Sequence, residues 1–260
     1  MPEALAELAA RLPGLDLSDF DDLGLQVRLN PRARRLRLAV RNAKVELVIP
    51  PGVSGGLVRD FVEQHRKWIH KHLQVQDAEL LRAQQALRLD PEDGQMPLWG
   101  QTLPIRCQPG PPRVEIGDSA IVVGMDPLRA GAHSSLRRLL QGAVKATFRS
   151  HVMVQLPELQ KQLGLRANGL RVRPLRSLWG SLSPAGTVSL NLGLVFLPPR
   201  YADYVLAHEL AHLRQRNHSP AFWQVVEQLY PQWRVARAEL RAVHGYVQAL
   251  CDLLYANAGT

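Results

Sequence analysis

The stretch His208-Glu209-Leu210-Ala211-His212, with His218 close behind, gathers three imidazoles and a carboxylate in one short piece of chain. On a helix, residues four apart share a face with their Cβ atoms about 5–6 Å apart. Two ring nitrogens so placed reach one zinc ion at roughly 2.0–2.1 Å each. Glu209 is rotated around the helix from both, which suits a residue that handles the attacking water rather than the metal. This is the H-E-x-x-H arrangement, in which the glutamate serves as general base for hydrolysis. The apolar run from Tyr201 to Ala207, continued by Leu210, Ala211 and Leu213, has the periodicity of the helix that the arrangement requires. The plain alternative is a set of ordinary polar residues on an exposed helix.

A hydrolytic zinc site takes three protein ligands and keeps one position open. His218 is the nearer candidate for the third. Asn217 tolerates the left-handed conformation that ends helices, and Ser219-Pro220 reads as the N-cap and first residue of a new helix. That places His218 in a corner between two helices. Glu227, on the second of them, is the competitor, with a solvated helix-face charge as its simpler reading. His133, His151 and His244 fall outside any ligand spacing, and His65, His70 and His72 lie on different faces of one helix, so all six read as structural or surface residues.

The run Asp203-Tyr204-Val205-Leu206-Ala207-His208-Glu209-Leu210-Ala211-His212-Leu213, followed by Asn217-His218-Ser219-Pro220-Ala221-Phe222-Trp223, closely resembles the YgjP-like metallopeptidase-fold family, which is related to the SprT and WLM zincins. Upstream, Ser177-Leu178-Trp179-Gly180-Ser181-Leu182-Ser183 is similar to its S-R-W-G-S-C-S signature, and Ser189-Leu190-Asn191 to the strand that follows. The likeness runs over most of the chain and is strongest over 170–233. Leu178 stands where the family has arginine and Leu182 where it has cysteine, departures that bear on substrate contacts more than on the metal centre. The resemblance implies a peptide or protein substrate, with nucleotide pyrophosphate hydrolysis as a second activity known in the family.

The Trp-Gly-Ser segment also has a direct physical reading. Gly180 permits a close backbone approach, and Ser181 and Ser183 offer hydroxyls. Pro184-Ala185-Gly186 is a turn leading into the strand from Thr187 to Leu192. A hairpin beside the zinc helix would form a wall on which substrate lies, so Trp179, Gly180, Ser181 and Asn191 are candidates for substrate contact. Equally, Trp179 can be a core aromatic and the serines turn caps.

Composition bounds the rest. At 260 residues, with 46% hydrophobic and 21% charged, the chain is long enough for one large or two modest globular domains. A net charge of +9 favours phosphate-rich partners such as nucleic acid or nucleotides; a general bias toward arginine explains it as well. Cys107 and Cys251 are far apart, which indicates neither a disulfide framework nor a cysteine metal site. No signal peptide or membrane span is visible, so a cytoplasmic protein is expected.

Along the chain, a short helix is expected over 5–12 and an acidic connector over 13–23. Alternating runs at Leu25–Leu29, 35–41 and Lys44–Ile49 predict an antiparallel meander, with turns at Asn30-Pro31 and Asn42-Ala43 and a basic face carrying Arg35, Arg37 and Arg41. Ser54 opens a long helix with Val58, Phe61, Val62, His65, Trp68, Ile69 and Leu73 as its buried stripe, ended by 91–94. Strands follow at 98–107, Arg113–Ile116 and 120–123, then a helix over 134–156, a strand at 170–173, the hairpin, the zinc helix and further helices. The expectation is an α+β zincin: a β-rich N-terminal region with one long helix over 1–130, and a zincin-like metal-binding catalytic domain over 131–260. The leading function is Zn²⁺-dependent peptide-bond hydrolysis, with His208, His212 and His218 as ligands and Glu209 activating the water. The expected substrate is a peptide or protein, including one associated with nucleic acid. The alternatives are a nucleotide (UTP-type) pyrophosphatase on the same metal site and a nucleic-acid-associated binding protein with a structural zinc. Oligomeric state is not legible.

Overall fold

A computed structural model describes residues 15–41 and 44–255; the helix expected over 5–12 and the turn at Asn42-Ala43 lie outside them. The chain divides into two compact units at Leu81.

The first unit is built on a three-stranded sheet of β1 (Leu25–Leu29), β2 (Arg37–Arg41) and β3 (Lys44–Ile49). Its order is β1-β3-β2, with β1 parallel to β3 and β2 antiparallel to it. The expected meander is therefore corrected to a mixed sheet. β3 carries Val45, Leu47 and Ile49, all fully buried, and the strand richest in core residues takes the centre, where both its edges are paired. Helix α1 (Gly55–Ala86) packs Val58, Val62 and Ile69 against β3, and Phe20 and Leu23 of a 3₁₀ segment (Leu17–Leu23) complete this core. Ser54 caps α1 as expected, its Oγ accepting from Leu57 N–H at 3.4 Å. The helix stops at Ala86, short of Pro91.

In the second unit the sheet order is β4 (Gly94–Leu98), β5 (Gln101–Gln108), β7 (Ile121–Gly124), β6 (Arg113–Ile116), with β5 parallel to β7. The single strand expected over 98–107 is in fact a hairpin. Trp99 and Gly100 both take positive φ, 51° and 82°, as a two-residue turn between antiparallel strands demands. Helix α2 (Ala132–Leu163) buries Ala132, Leu136, Leu140, Val144, Phe148, Val152, Leu159 and Leu163. It runs through Pro157, beyond the expected end at 156, because Leu159 and Leu163 extend its buried stripe. Gly164, at φ 71°, then closes it by donating to the carbonyls of Gln160 and Lys161. Strands β4–β7, placed by sequence in the N-terminal half, share one core with α2 and the C-terminal helices, so the compact division falls at 81/82 rather than near 130.

A third sheet, β8 (Gly169–Arg173), β10 (Thr187–Asn191) and β9 (Gly180–Leu182), has β10 in the middle and β9 at an edge. After it come a 3₁₀ segment (Leu192–Phe196), α3 (Arg200–Ala211), α4 (Pro220–Leu229), α5 (Trp233–Ala242) and α6 (His244–Tyr255). The architecture is α+β. No helix among the described residues is long and apolar enough to cross a membrane.

Candidate metal centre

Helix α3 supplies His208 and Glu209 and ends with His212 as its C-cap. Leu213 N–H donates to Leu210 O, and the N–H groups of Arg214 and Gln215 both donate to Ala211 O, so the chain leaves the helix axis at once. Asn217, expected to make this break in a left-handed conformation, does not do so: among the described residues Trp99 is the non-glycine with positive φ. The break comes earlier, through these turn bonds. Gln215 O lies 3.0 Å from His212 Nδ1. The tautomer that makes this bond carries its proton on Nδ1 and leaves the Nε2 lone pair free. The next helix starts as the sequence predicts, with Ser219 Oγ accepting from Phe222 N–H and Pro220 in the first turn.

His218 thus sits at the corner and turns back over α3. Its Nε2 is 3.1 Å from His208 Nε2, and donor nitrogens of His208, His212 and His218 all lie within 4.8 Å of one another. Tetrahedral bonds of about 2.0–2.1 Å hold ligand nitrogens roughly 3.3 Å apart, so the group has the dimensions to close on a metal ion with little movement. The rings are steadied by aromatic packing. Phe222 stacks on His212 at 4.5 Å and meets His208 edge-on at 4.9 Å, while Trp223 lies 5.7 Å from both His208 and His218. His208 Nδ1 is buried without a hydrogen-bond partner, so packing rather than a polar contact orients this ring. Burial, and then the neighbouring imidazoles of His212 and His218, push His208 down to about 3, which keeps its lone pair available.

Glu209 is 5% exposed. Burial pushes its carboxyl up to about 8, against the opposing effect of a hydrogen bond from the Leu182 backbone N–H. The hairpin comes still closer at Gly180, where a Cβ would stand 2.7 Å from Glu209 Cγ and Oε1 and 2.9 Å from Val205 Cγ1. Only glycine lets β9 lie this tightly on α3. Gly180→Ala is therefore expected to cost about 1–3 kcal/mol of stability through overpacking, and to slow turnover by displacing Glu209 at unchanged metal content. Denaturant melts and metal analysis on the same sample check this.

The other substrate-contact candidates divide. Ser181 alternates with Gly180 and Leu182, and so points to the opposite face of β9. Trp179 packs on the core with His244 edge-on at 5.3 Å. Asn191 is buried, which corrects its assignment to substrate: its Nδ2 donates to Leu175 O and Leu178 O at 2.8 and 2.9 Å, and its Oδ1 accepts from Gly193 N–H at 2.9 Å. It fastens the loop before β9. Glu227 is half exposed, pairs with Arg234 at 2.7 Å and is not part of the histidine group. His151 pairs with Asp203 at 2.7 Å, and the rings of His65 and His72 bond the carbonyls of Phe61 and Trp68 one turn back. Sequence reasoning missed Tyr204 and Trp223, whose rings flank His208; an aromatic residue four before the first histidine was the available signal.

A family model, YgjP-like, metallopeptidase domain, matches residues 34–243 of this sequence. The chain belongs to the YgjP-like metallopeptidase family. A solved structure similar to part of it is the crystal structure of the metallopeptidase zymogen of Pyrococcus abyssi abylysin, 32% identical over 35% of this chain and 91% of that chain, with a TM-score of 0.32. No curated protein matches the chain. Membership in a metallopeptidase family implies a metal ion, and the three clustered histidines fit one. Two departures of this YgjP-like chain from the family signature now have a physical reading. At Leu178 the backbone carbonyl serves Asn191, and at Leu182 the backbone N–H serves Glu209, so neither task depends on the side chain. The Leu178 side chain itself is exposed.

Proposed function

We propose that this YgjP-like metallopeptidase is a zinc-dependent hydrolase of peptide bonds, with His208, His212 and His218 as ligands and Glu209 as general base. The observation that carries the reading is a buried carboxylate beside three converging imidazoles, with no fourth His, Cys, Asp or Glu in the group among the described residues. A structural zinc would take a fourth protein ligand and has no use for a base. Three imidazole donors suit zinc. Bound there, zinc supplies a Lewis acid for the scissile carbonyl and acidity for the attacking water.

The chain's own residues do the rest. A Glu209 carboxylate oxygen accepts the proton of the attacking water and then delivers it to the leaving amine nitrogen. Its elevated affinity for protons, a result of burial, matches a base that works near neutral pH. The Leu182 N–H and the close contact at Gly180 fix the direction of the carboxylate. Among the described residues β9 has one strand neighbour, β10, so apart from the Leu182 N–H that Glu209 takes, its other edge has no strand partner. An extended peptide pairs with such an edge through its own backbone, which a nucleotide lacks.

Turnover of a casein or quenched-peptide substrate, abolished by chelator and restored by zinc, is the expected result. UTP turnover without peptide turnover would move the substrate class to nucleotides. The third ligand has its own test. His218→Ala is expected to weaken zinc binding far more than Glu227→Ala does, since Glu227 is occupied by Arg234 on the surface. Competitive chelator titration of both variants decides, and the reverse order would make Glu227 the ligand.

A further inference from the structure

Arg237 stands apart from its neighbours on the C-terminal helices. Arg234 pairs with Glu227 and Arg200 with Glu239, whereas Arg237, lying between Arg234 and Glu239 on α5, has no carboxylate at ion-pair distance among the described residues. Its guanidinium carbon lies over the Trp223 ring, 4.7 Å from the centroid. The same indole lies 5.7 Å from His218, nearly parallel to it, and 5.7 Å from His208. Trp233, one turn before Arg237 on α5, stacks on this indole at 4.2 Å. Arg237 and the metal-site histidines thus share the Trp223 indole as a common neighbour.

An uncompensated cation beside three imidazoles would be repelled by a dication held there. The arrangement becomes favourable once an anion binds between them. Stacking on Trp223 occupies the face of the guanidinium and leaves its N–H edge open, the edge that matches a carboxylate through two parallel hydrogen bonds.

We propose that Arg237 is a specificity-determining residue that binds a carboxylate of the peptide substrate beside the scissile bond. The proposal rests on the peptidase reading given above. The carboxylate belongs either to an acidic side chain or to the free C-terminus of the peptide, which share this chemistry.

The test uses zinc-loaded full-length protein and three short peptide hydroxamates that bind the metal without being cleaved. One carries glutamate, one glutamine at the same position, both with amidated C-termini, and one is the glutamine peptide with a free C-terminal acid. Calorimetry on the wild type is expected to show one acidic probe binding about 10–100-fold more tightly than the neutral one, the range of a charge-assisted hydrogen-bonded pair. The probe that shows the preference identifies the source of the carboxylate. Arg237→Gln and Arg237→Met, the latter keeping an apolar stem on Trp223, are expected to collapse the preference at unchanged zinc content, and Arg237→Lys to restore part of it. Loss of affinity for acidic and neutral probes alike, an intact preference or loss of zinc would overturn the proposal. So would Arg237-dependent binding of pyrophosphate with no discrimination among the hydroxamates. An Arg237-dependent preference in a protein that cleaves no peptide would leave the anion site standing and remove the peptidase reading, so the two fail separately.

Discussion

Glu209→Gln is expected to leave metal content and melting behaviour near wild type while turnover falls by about 10²–10⁴-fold, the usual contribution of a positioned general base. The fold should tolerate the change because the site already disfavours charge: burial pushes the carboxyl up to about 8, so a neutral amide of the same shape costs little there. The Leu182 N–H keeps an oxygen to donate to, and the tight contact at Gly180 is unaltered in volume. What is lost is the ability to accept the water's proton. Metal analysis, a thermal melt and an assay on a cleaved peptide measure all three quantities. Retention of most of the wild-type rate would remove Glu209 from the role of base, and loss of the metal would make it part of the binding site instead.

His212→Ala is expected to strip the protein of its metal and, with it, all turnover. This residue occupies the point where α3 ends, and its ring is oriented from both sides, by the Gln215 carbonyl at 3.0 Å and by Phe222 stacked at 4.5 Å. A ligand so prepared loses little freedom when it binds. Removing it leaves two imidazoles, so affinity should fall by more than the roughly 10–100-fold that loss of an orienting partner alone costs. Wild-type protein purified without chelator should hold about one equivalent of zinc, as a structural or catalytic site would. Elemental analysis showing no metal in the wild type, before or after zinc is supplied, would overturn the site as a whole.

How much of this was legible depended on sequence distance. His208, Glu209 and His212 are fixed by one helical turn, and the corner at His218 by the Ser219-Pro220 start of α4, so local patterning exposed them. Gly180 was legible as a place of close approach, but not what approaches it, because its contact with Glu209 joins residues far apart in the chain. The strand registers failed for the same reason. Alternation marks which residues alternate, but the insertion of β3 between β1 and β2 is decided by which strand best fills a two-sided core. Asn191 was misassigned because a polar residue near a site looks alike whether it faces a ligand or holds a loop; only its bonds to Leu175, Leu178 and Gly193 distinguish the two. At Leu178 and Leu182, where the chain departs from the family signature, the hydrogen bonds to Asn191 and Glu209 are made by the backbone, which a reading of side-chain types does not reveal.

His208 and His218 are ten residues apart, whereas the hairpin that covers Glu209 comes from well upstream. Closing so short a loop costs little chain entropy. Docking of β9 is a separate and longer-range event. The three imidazoles are thus gathered by contacts of short sequence range and the cover over Glu209 by one of long range, so the two halves of the site depend on different stretches of the fold.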